Sequence, residues 1–334
     1  MKKWIGMMIV VIIAVIVTGC GTADEETNAE PNKEGDAVNE GTTYTIGASQ
    51  FVEHPSLDAA FDGFKQALSD RGLTVEYNFQ SAQADQTNAL TIAQSFSSDQ
   101  VDLIFANATP SALTALQATK DIPIVFTSVT DAVSAGLVNA MDEPGDNITG
   151  VVDMHPEAVQ HTVDFINEYF EGATVGLIYN TGEQNSVVQI EAVKKAAEGT
   201  SLSVVERTVS TSAEVQQAAT SLVGEADVLY IVTDNTVVSA LESVVGVANE
   251  QDIPLVVGEP DSLARGGFAT FGIDYYTIGY RSGEMAADIL TGEKQPNEIA
   301  VEYPPEMKLF INKDAATEQN IVWQDAWDEE AATE

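Results

Sequence analysis

The chain has one cysteine, Cys20, in 334 residues, so no disulfide can staple it internally. It has three histidines, and only 14 lysines and arginines against 52 acidic residues, a formal net charge of −38. No basic stripe interrupts this excess, which excludes nucleic acid and anionic lipid headgroups as partners. The motifs of common enzymes are also missing. There is no Gly-x-Ser-x-Gly elbow, no His-Glu-x-x-His or Cys/His cluster for zinc, and no Gly-x-Gly-x-x-Gly after a strand. The acids lack the loop spacing of a calcium site. Catalysis, a metal and a cofactor are therefore not expected.

Long apolar runs are scarce too. The longest, "WIGMMIVVIIAVIV" (Trp4 to Val17), follows Lys2 and Lys3 and is too short for a comfortable membrane span. It reads as the apolar part of a signal peptide. Small residues lead from it to Cys20 in "VTGC", the pattern of a bacterial lipobox. Residues 1–20 are thus expected to be a lipoprotein signal, with Cys20 the acylated N-terminus of the mature chain. Acyl chains, at about 0.8 kcal/mol per buried CH₂, then tether the protein to the cell membrane. Residues 21–42 are acid-rich and almost free of apolar side chains. They cannot offset their chain entropy by burial and read as a flexible tether. The tail 327–334 is expected to fray in the same way. The acids are spread singly, as a solvated coat would be, and such a coat suits a high-salt environment.

About 290 residues remain, more than one hydrophobic core usually serves, so two domains are expected. From Tyr44 onward, strand-like and helix-like segments alternate. "YTIGAS" reads as a strand and "SLDAAFDGFKQALSDRG" as a helix with Leu57, Ala60, Phe61, Phe64 and Leu68 on one face; "VDLIFANATP" and "IPIVFTSVTD" follow as buried strands. The rhythm returns in "HPEAVQHTVDFINEYF", "ATVGLIYN", "DVLYIVTD", "TVVSALESVVGVANEQ" and "IPLVVGEP". Asp-Ile-Pro precedes a strand in both halves, at Asp121 and Asp252. Alternation of this kind predicts parallel sheets flanked by helices, one α/β plan used twice. In such sheets ligands bind beyond the carboxyl ends of the strands. The polar strand ends are therefore the candidate site. Two of them carry the same tripeptide, Val129-Thr130-Asp131 and Val232-Thr233-Asp234. With no histidine near either in sequence to act as a base, the pair reads as two facing edges of a clamp and not as a catalytic set.

At these strand ends the sequence becomes familiar. "GASQFVEHPSLDAAFDGF", "FANATPSALTAL", "VFTSVTDAV", "YNTGEQNS", "YIVTDNTVVSALESV" and "GGFATFGIDYYTIGYRSGEMAADIL" occur in order and together resemble the TrpX-like ABC-transporter substrate-binding lipoproteins. The resemblance runs from about Tyr44 to Asn312. It implies a type I periplasmic-binding-protein fold, in which two doubly wound parallel-sheet lobes are joined by a three-crossover hinge and close on a ligand. It also implies an extracytoplasmic, monomeric chain that passes an aromatic amino acid such as tryptophan to a permease and an ATPase. The crossovers are expected near Asn147 to Asp153, Phe268 to Ile273 and Ile299 to Tyr303. Lobe 1 is then 43–150 plus 274–300, and lobe 2 is 151–272 plus 301–326.

An amino-acid zwitterion needs two opposite cradles. For the carboxylate, hydroxyls and backbone N–H groups at helix starts are suited, and lobe 1 offers Asn107, Thr109, Ser128 and Thr130. For the ammonium, Asp234 of lobe 2 is the first candidate, with Asp274 as a second; Asp131 would repel the ligand carboxylate and is read as a cap. Glu183 and Asn185 start a lobe 2 helix and are placed against the ligand. The side chain needs an apolar slot with a polar handle: Phe51, His54 and Tyr275 are candidates for its walls, and Gln50 for contact with an indole N–H. The same fold also serves sensors and carriers of sugars or nucleosides, and these stand as alternatives. The economy of Ser, Thr and Asp suits a zwitterion better than a sugar.

Overall fold

The computed structural model describes residues 41–332. Cys20, the signal segment and nearly all of the tether lie outside the described residues.

The first sheet holds β1 (Thr43–Gln50), β2 (Thr74–Ser81), β3 (Leu103–Asn107), β4 (Ile124–Val129) and β5 (Ile148–Val152), in the order β2-β1-β3-β4-β5. All of its pairs are parallel. The inner strands β3 and β4 are buried at every residue, as expected where helices cover both faces. Those helices include α1 (Pro55–Asp70), α2 (Gln86–Asp99) and α3 (Thr109–Ala118). On α1 the buried set Leu57, Ala60, Phe64, Ala67 and Leu68 follows the 3.6-residue period read from the sequence.

Four further helices, α4 (Ala158–Tyr169), α5 (Gln184–Ala197), α6 (Val215–Ser221) and α8 (Leu241–Glu250), with the one-turn α7 (Asn235–Val238), belong to the second half. Its sheet comprises β6 (Thr174–Asn180), β7 (Ser203–Val209), β8 (Val228–Ile231), β9 (Leu255–Val257), β10 (Ala269–Gly272) and β11 (Lys308–Ile311), ordered β11-β10-β9-β8-β6-β7. From the β7 end, the first five strands repeat the order of the first sheet. The one addition is β11, which lies antiparallel on β10. The single helix expected over "TVVSALESVVGVANEQ" is broken at Ala240, whose φ −122° and ψ 26° leave the helical region between α7 and α8.

The chain passes between the sheets three times. It leaves β5 for α4. It leaves β10 for α9 (Tyr275–Leu290), which packs back on α1, β4 and β5. It returns from residues 301–302 to β11. The α1–α9 contact is made at backbone distance. A Cβ on Gly279 would stand 1.9 Å from the Ala60 carbonyl oxygen, and one on Gly63 2.1 Å from that of Tyr276, so each helix needs glycine there.

Two boundaries differ from the sequence reading. Val301 packs in the core of the first sheet. Glu302 bonds to β5 (Val152 N–H to Glu302 O, 2.9 Å), and Arg281 of α9 forks onto its carboxylate at 2.8 and 2.8 Å. Residues 301–302 therefore belong with lobe 1, as do Val151 and Val152 in β5. The expected frayed tail is also corrected. After α10 (Lys313–Glu318), Trp327 opens α11 (Trp327–Glu330) and is 1% exposed. Its ring lies 5.0 Å from Tyr169, 5.2 Å from Phe268 and 5.3 Å from Trp323. Burial of one large aromatic outweighs the polar composition around it.

Candidate functional site

The carboxyl ends of both sheets face one cavity between the lobes. Lobe 1 contributes His54, Leu57, Ser128 and Thr130, and lobe 2 contributes Asn185, Thr233, Asp234, Asn235, Val238 and Glu259. The crossovers add Asp153 and Tyr275. The cavity measures about 10 Å³, room for one water. The lobes touch beside it: Ser56 Oγ donates to Glu259 Oε2 at 2.5 Å, and Gln86 Nε2 to the Gly182 carbonyl at 2.5 Å. The cleft is thus closed, and a solute larger than a water enters only when the lobes separate.

In lobe 1 the end of β4 is irregular. The pairing with β5 slips between Phe126 and Val129, and Ser128 adopts φ +57°. The left-handed region costs a non-glycine residue about 1–2 kcal/mol, a strain that concentrates at functional sites. Ser128 Oγ is buried with no hydrogen-bond partner. Thr130 N–H is supported by Thr109 Oγ1 at 3.4 Å. His54 precedes α1 and makes no side-chain cap bond. Burial, followed by the charge of Arg265, lowers its pKa to about 4, so the imidazole is neutral. Its Nδ1 is buried and unpartnered.

Lobe 2 is built differently. Asp234 caps α7, accepting from Val237 N–H at 2.8 Å through Oδ1 and from Asn180 N–H at 2.6 Å through Oδ2. Glu183 lies beneath it and accepts from Asn235 N–H and Nδ2 (3.1 and 2.6 Å) and from Thr236 N–H and Oγ1 (2.9 and 2.7 Å). Burial first, and the Glu183 charge second, hold the Asp234 carboxyl above its ordinary range. Asn185 Nδ2 donates to Thr233 O at 3.0 Å, while its Oδ1 is buried and unpartnered. Glu259 accepts from Ser262 N–H at 3.2 Å and from the Ser262 hydroxyl, besides the bond from Ser56.

At the crossovers, the Tyr275 hydroxyl donates to Asp153 Oδ2 at 2.8 Å. Asp153 is partly exposed as a residue, yet its Oδ1 is out of solvent and unpartnered. Burial raises its carboxyl to about 6, against hydrogen bonds from Tyr275, its own backbone and Thr130 that favour the ionised form.

Of the residues named from sequence, His54, Ser128, Thr130, Asn185, Asp234 and Tyr275 line the cavity. Gln50, Phe51, Asn107, Thr109, Glu183 and Asp274 do not. Phe51 is a core residue of lobe 1. Gln50 bridges Asp58 (2.7 Å) and Asn107 (3.0 Å), and Asn107 also donates to Leu57 O (2.8 Å). Thr109 supports Thr130, and Glu183 fastens the α7 loop. Asp274 is exposed and caps α9 through Thr277 N–H at 2.5 Å. Asp131 caps its own turn, accepting from Val133 N–H and Ser134 N–H. Residues not named as ligand contacts also line the cleft, among them Asp153, Glu259 and Asn235. Both acids end apolar strand segments, "NITGVVD" and "IPLVVGE", and that signal could have found them. Tripeptide identity misled in one respect. Val129-Thr130-Asp131 follows β4, the fourth strand of its sheet's order, but Val232-Thr233-Asp234 follows β8, the third of its own. The true counterpart of Ser128 is Glu259, by the shared Ile-Pro before β4 and β9.

Four residues that line the cavity carry a buried polar atom without a partner: His54 Nδ1, Ser128 Oγ, Asp153 Oδ1 and Asn185 Oδ1. Such atoms are costly unless a ligand satisfies them. Its lining includes three carboxylates and neither lysine nor arginine. Among the described residues no cluster of three or more His, Cys, Asp or Glu is arranged for a metal ion, and no helix is long and apolar enough to cross a membrane.

Known proteins share this architecture. Residues 45–334 match the family described as ABC transporter substrate binding protein. Over 319 residues the chain is 42% identical to the tyrosine-binding protein of Clostridioides difficile (strain R20291), covering 94% of this chain and 91% of that one. A solved ABC domain from Streptococcus pneumoniae in complex with L-Trp is 30% identical and superposes with a TM-score of 0.82, covering 87% of this chain and 99% of its own. The ligand-free, open structure of a substrate-binding protein with adhesive properties from Clostridium difficile is 39% identical but scores 0.63, over 86% of this chain and 98% of its own. The lower score against the more similar sequence accords with the closed cleft seen here. With a family match across nearly all the described residues and the same two-lobed cleft, the chain belongs to the ABC transporter substrate-binding proteins, extracytoplasmic carriers of ligand and not enzymes.

Proposed function

We propose that the cleft encloses one amino acid, aromatic in its side chain, and delivers it to the permease and ATPase of an importer. The observation that carries this reading is that four residues lining one cavity each carry an unpartnered buried polar atom. Two of them, Asp153 Oδ1 and Asn185 Oδ1, are acceptors from opposite sides and suit an ammonium. Ser128 Oγ offers a hydroxyl to a carboxylate. His54, held neutral, suits a phenol or indole handle, and Leu57 and Val238 supply apolar walls. We place the ammonium on Asp153 and not on Asp234, because both Asp234 oxygens already accept backbone N–H groups. Asp234 and Glu259 then contribute negative potential behind it. The names of two relatives support an aromatic cargo, since one is a tyrosine-binding protein and the other holds L-Trp.

Open lobes admit the ligand, and closure about the crossovers, to a cleft wider than the 10 Å³ seen here, satisfies the four atoms together. The closed form, which the permease reads, is thereby favoured. Acylation of Cys20 anchors the chain, a step tested by loss of labelled palmitate in Cys20→Ser. Titration calorimetry with tyrosine, tryptophan, phenylalanine, leucine and ribose tests the cargo. Binding confined to aromatic amino acids is expected; binding of ribose alone, or of nothing, contradicts the reading.

A further inference from the structure

Tyr275 read from sequence as a wall for the ligand's side chain, but its surroundings give it another role. It is 4% exposed and opens α9 directly after the second crossover. Its hydroxyl points at the first crossover, where it donates to Asp153 Oδ2 at 2.8 Å. The two residues are 122 apart in sequence, so this bond ties together two of the three strands that must flex when the lobes part. The other oxygen of the same carboxylate is the unpartnered one.

We propose that Tyr275 is a positioning residue for ligand recognition: by holding one oxygen of Asp153 it aims the second at the ligand's ammonium in the closed cleft. This rests on Asp153 being the ammonium's partner. The electrostatic setting makes the donor matter. Facing the cavity with Asp153 are the acids Asp234 and Glu259 and the neutral His54. Asp261 and Glu259 act on Tyr275, and Arg265 acts on His54. No lysine or arginine lines the cavity to support the Asp153 charge; Tyr275, Thr130 and its own backbone do so against burial. Burial and the nearby acids keep the Tyr275 hydroxyl far above its ordinary pKa, so it remains a donor at any working pH.

Removing the hydroxyl while keeping the ring leaves the Asp153 carboxyl easier to protonate. As pH falls, a proton then competes with the ligand's ammonium at a higher pH than in the native protein. Calorimetric titration of native protein, Tyr275→Phe and Asp153→Asn with tyrosine, from pH 5 to pH 9, separates the outcomes. Tyr275→Phe is expected to bind about threefold more weakly at pH 9 and more than tenfold more weakly at pH 6, the range set by one hydrogen bond to a charged group. An equal loss at every pH, or no loss, overturns the positioning role while Asp153→Asn still abolishes binding. Full affinity in Asp153→Asn overturns the site reading itself.

Discussion

The ends of β4 and β9 occupy the same place in the two lobes, and both strands follow Ile-Pro. The end of β4 holds Ser128, strained at φ +57° and unpartnered. Just past the end of β9 stands Glu259, which accepts from three donors. The contrast extends beyond these two residues. In lobe 2 the loops after β6 and β8 are laced by Glu183 and Asp234, whose oxygens are all engaged. In lobe 1 and at the first crossover, His54, Ser128 and Asp153 each present an unpartnered atom. One plan used twice has yielded a pre-built wall in one lobe and a set of waiting contacts in the other, with Asn185 the one such contact on the wall. Polar networks that are complete rigidify, and incomplete ones invite a ligand.

Perturbing the wall gives the largest expected effect. Glu183→Ala strands the donors of Asn235 and Thr236 in a buried site and should destabilise by about 3–5 kcal/mol, read as a lower denaturant midpoint. Trp327→Ala should cost a similar 3–5 kcal/mol through its cavity while leaving tyrosine affinity unchanged; an affinity loss there would tie the tail to the cleft. On the other side of the comparison, Ser128→Gly should split the two properties. It relieves a left-handed residue, adding about 1 kcal/mol of stability, and it removes a hydroxyl, weakening tyrosine binding about tenfold. Loss of both would mean that Ser128 holds the loop and not the ligand.

The smallest effect concerns pH. The folded-state pKa of Asp153 is raised to about 6, above the ordinary value near 4. The folded form therefore binds more protons than the unfolded form between those values. Its contribution to stability is full below about pH 4 and is lost as pH rises through about 6. Asp153→Asn should flatten the dependence of stability on pH across that window, in denaturant titrations at fixed pH; an unchanged slope would contradict the burial described.

Much of this fold was legible because each helix and strand announces its own period. The 3.6-residue stripe of α1 and the continuous apolar runs of β3 and β4 are local facts. Strand order, the antiparallel β11 and the seating of Trp327 depend on contacts far apart in sequence, which no window contains. The site divides in the same way. Polar strand ends pointed to Ser128, Thr130, Asn185 and Asp234. Gln50 and Phe51 were misplaced because the sheet continues past β1: Phe51 N–H bonds to Asn107 O and Ala82 N–H to Gln50 O, so the cleft loop opens only at His54. Asp153 passed unnoticed because an acid ending a strand looks like a surface residue until Tyr275 is brought against it.

Where the ammonium sits is tested directly by a crystal structure of the protein with bound L-tyrosine. The ammonium nitrogen is predicted within about 3 Å of Asp153 Oδ1 and of Asn185 Oδ1, with the Tyr275 hydroxyl still on Asp153 Oδ2. An ammonium paired with Asp234 or Glu259 and out of reach of Asp153 would contradict it.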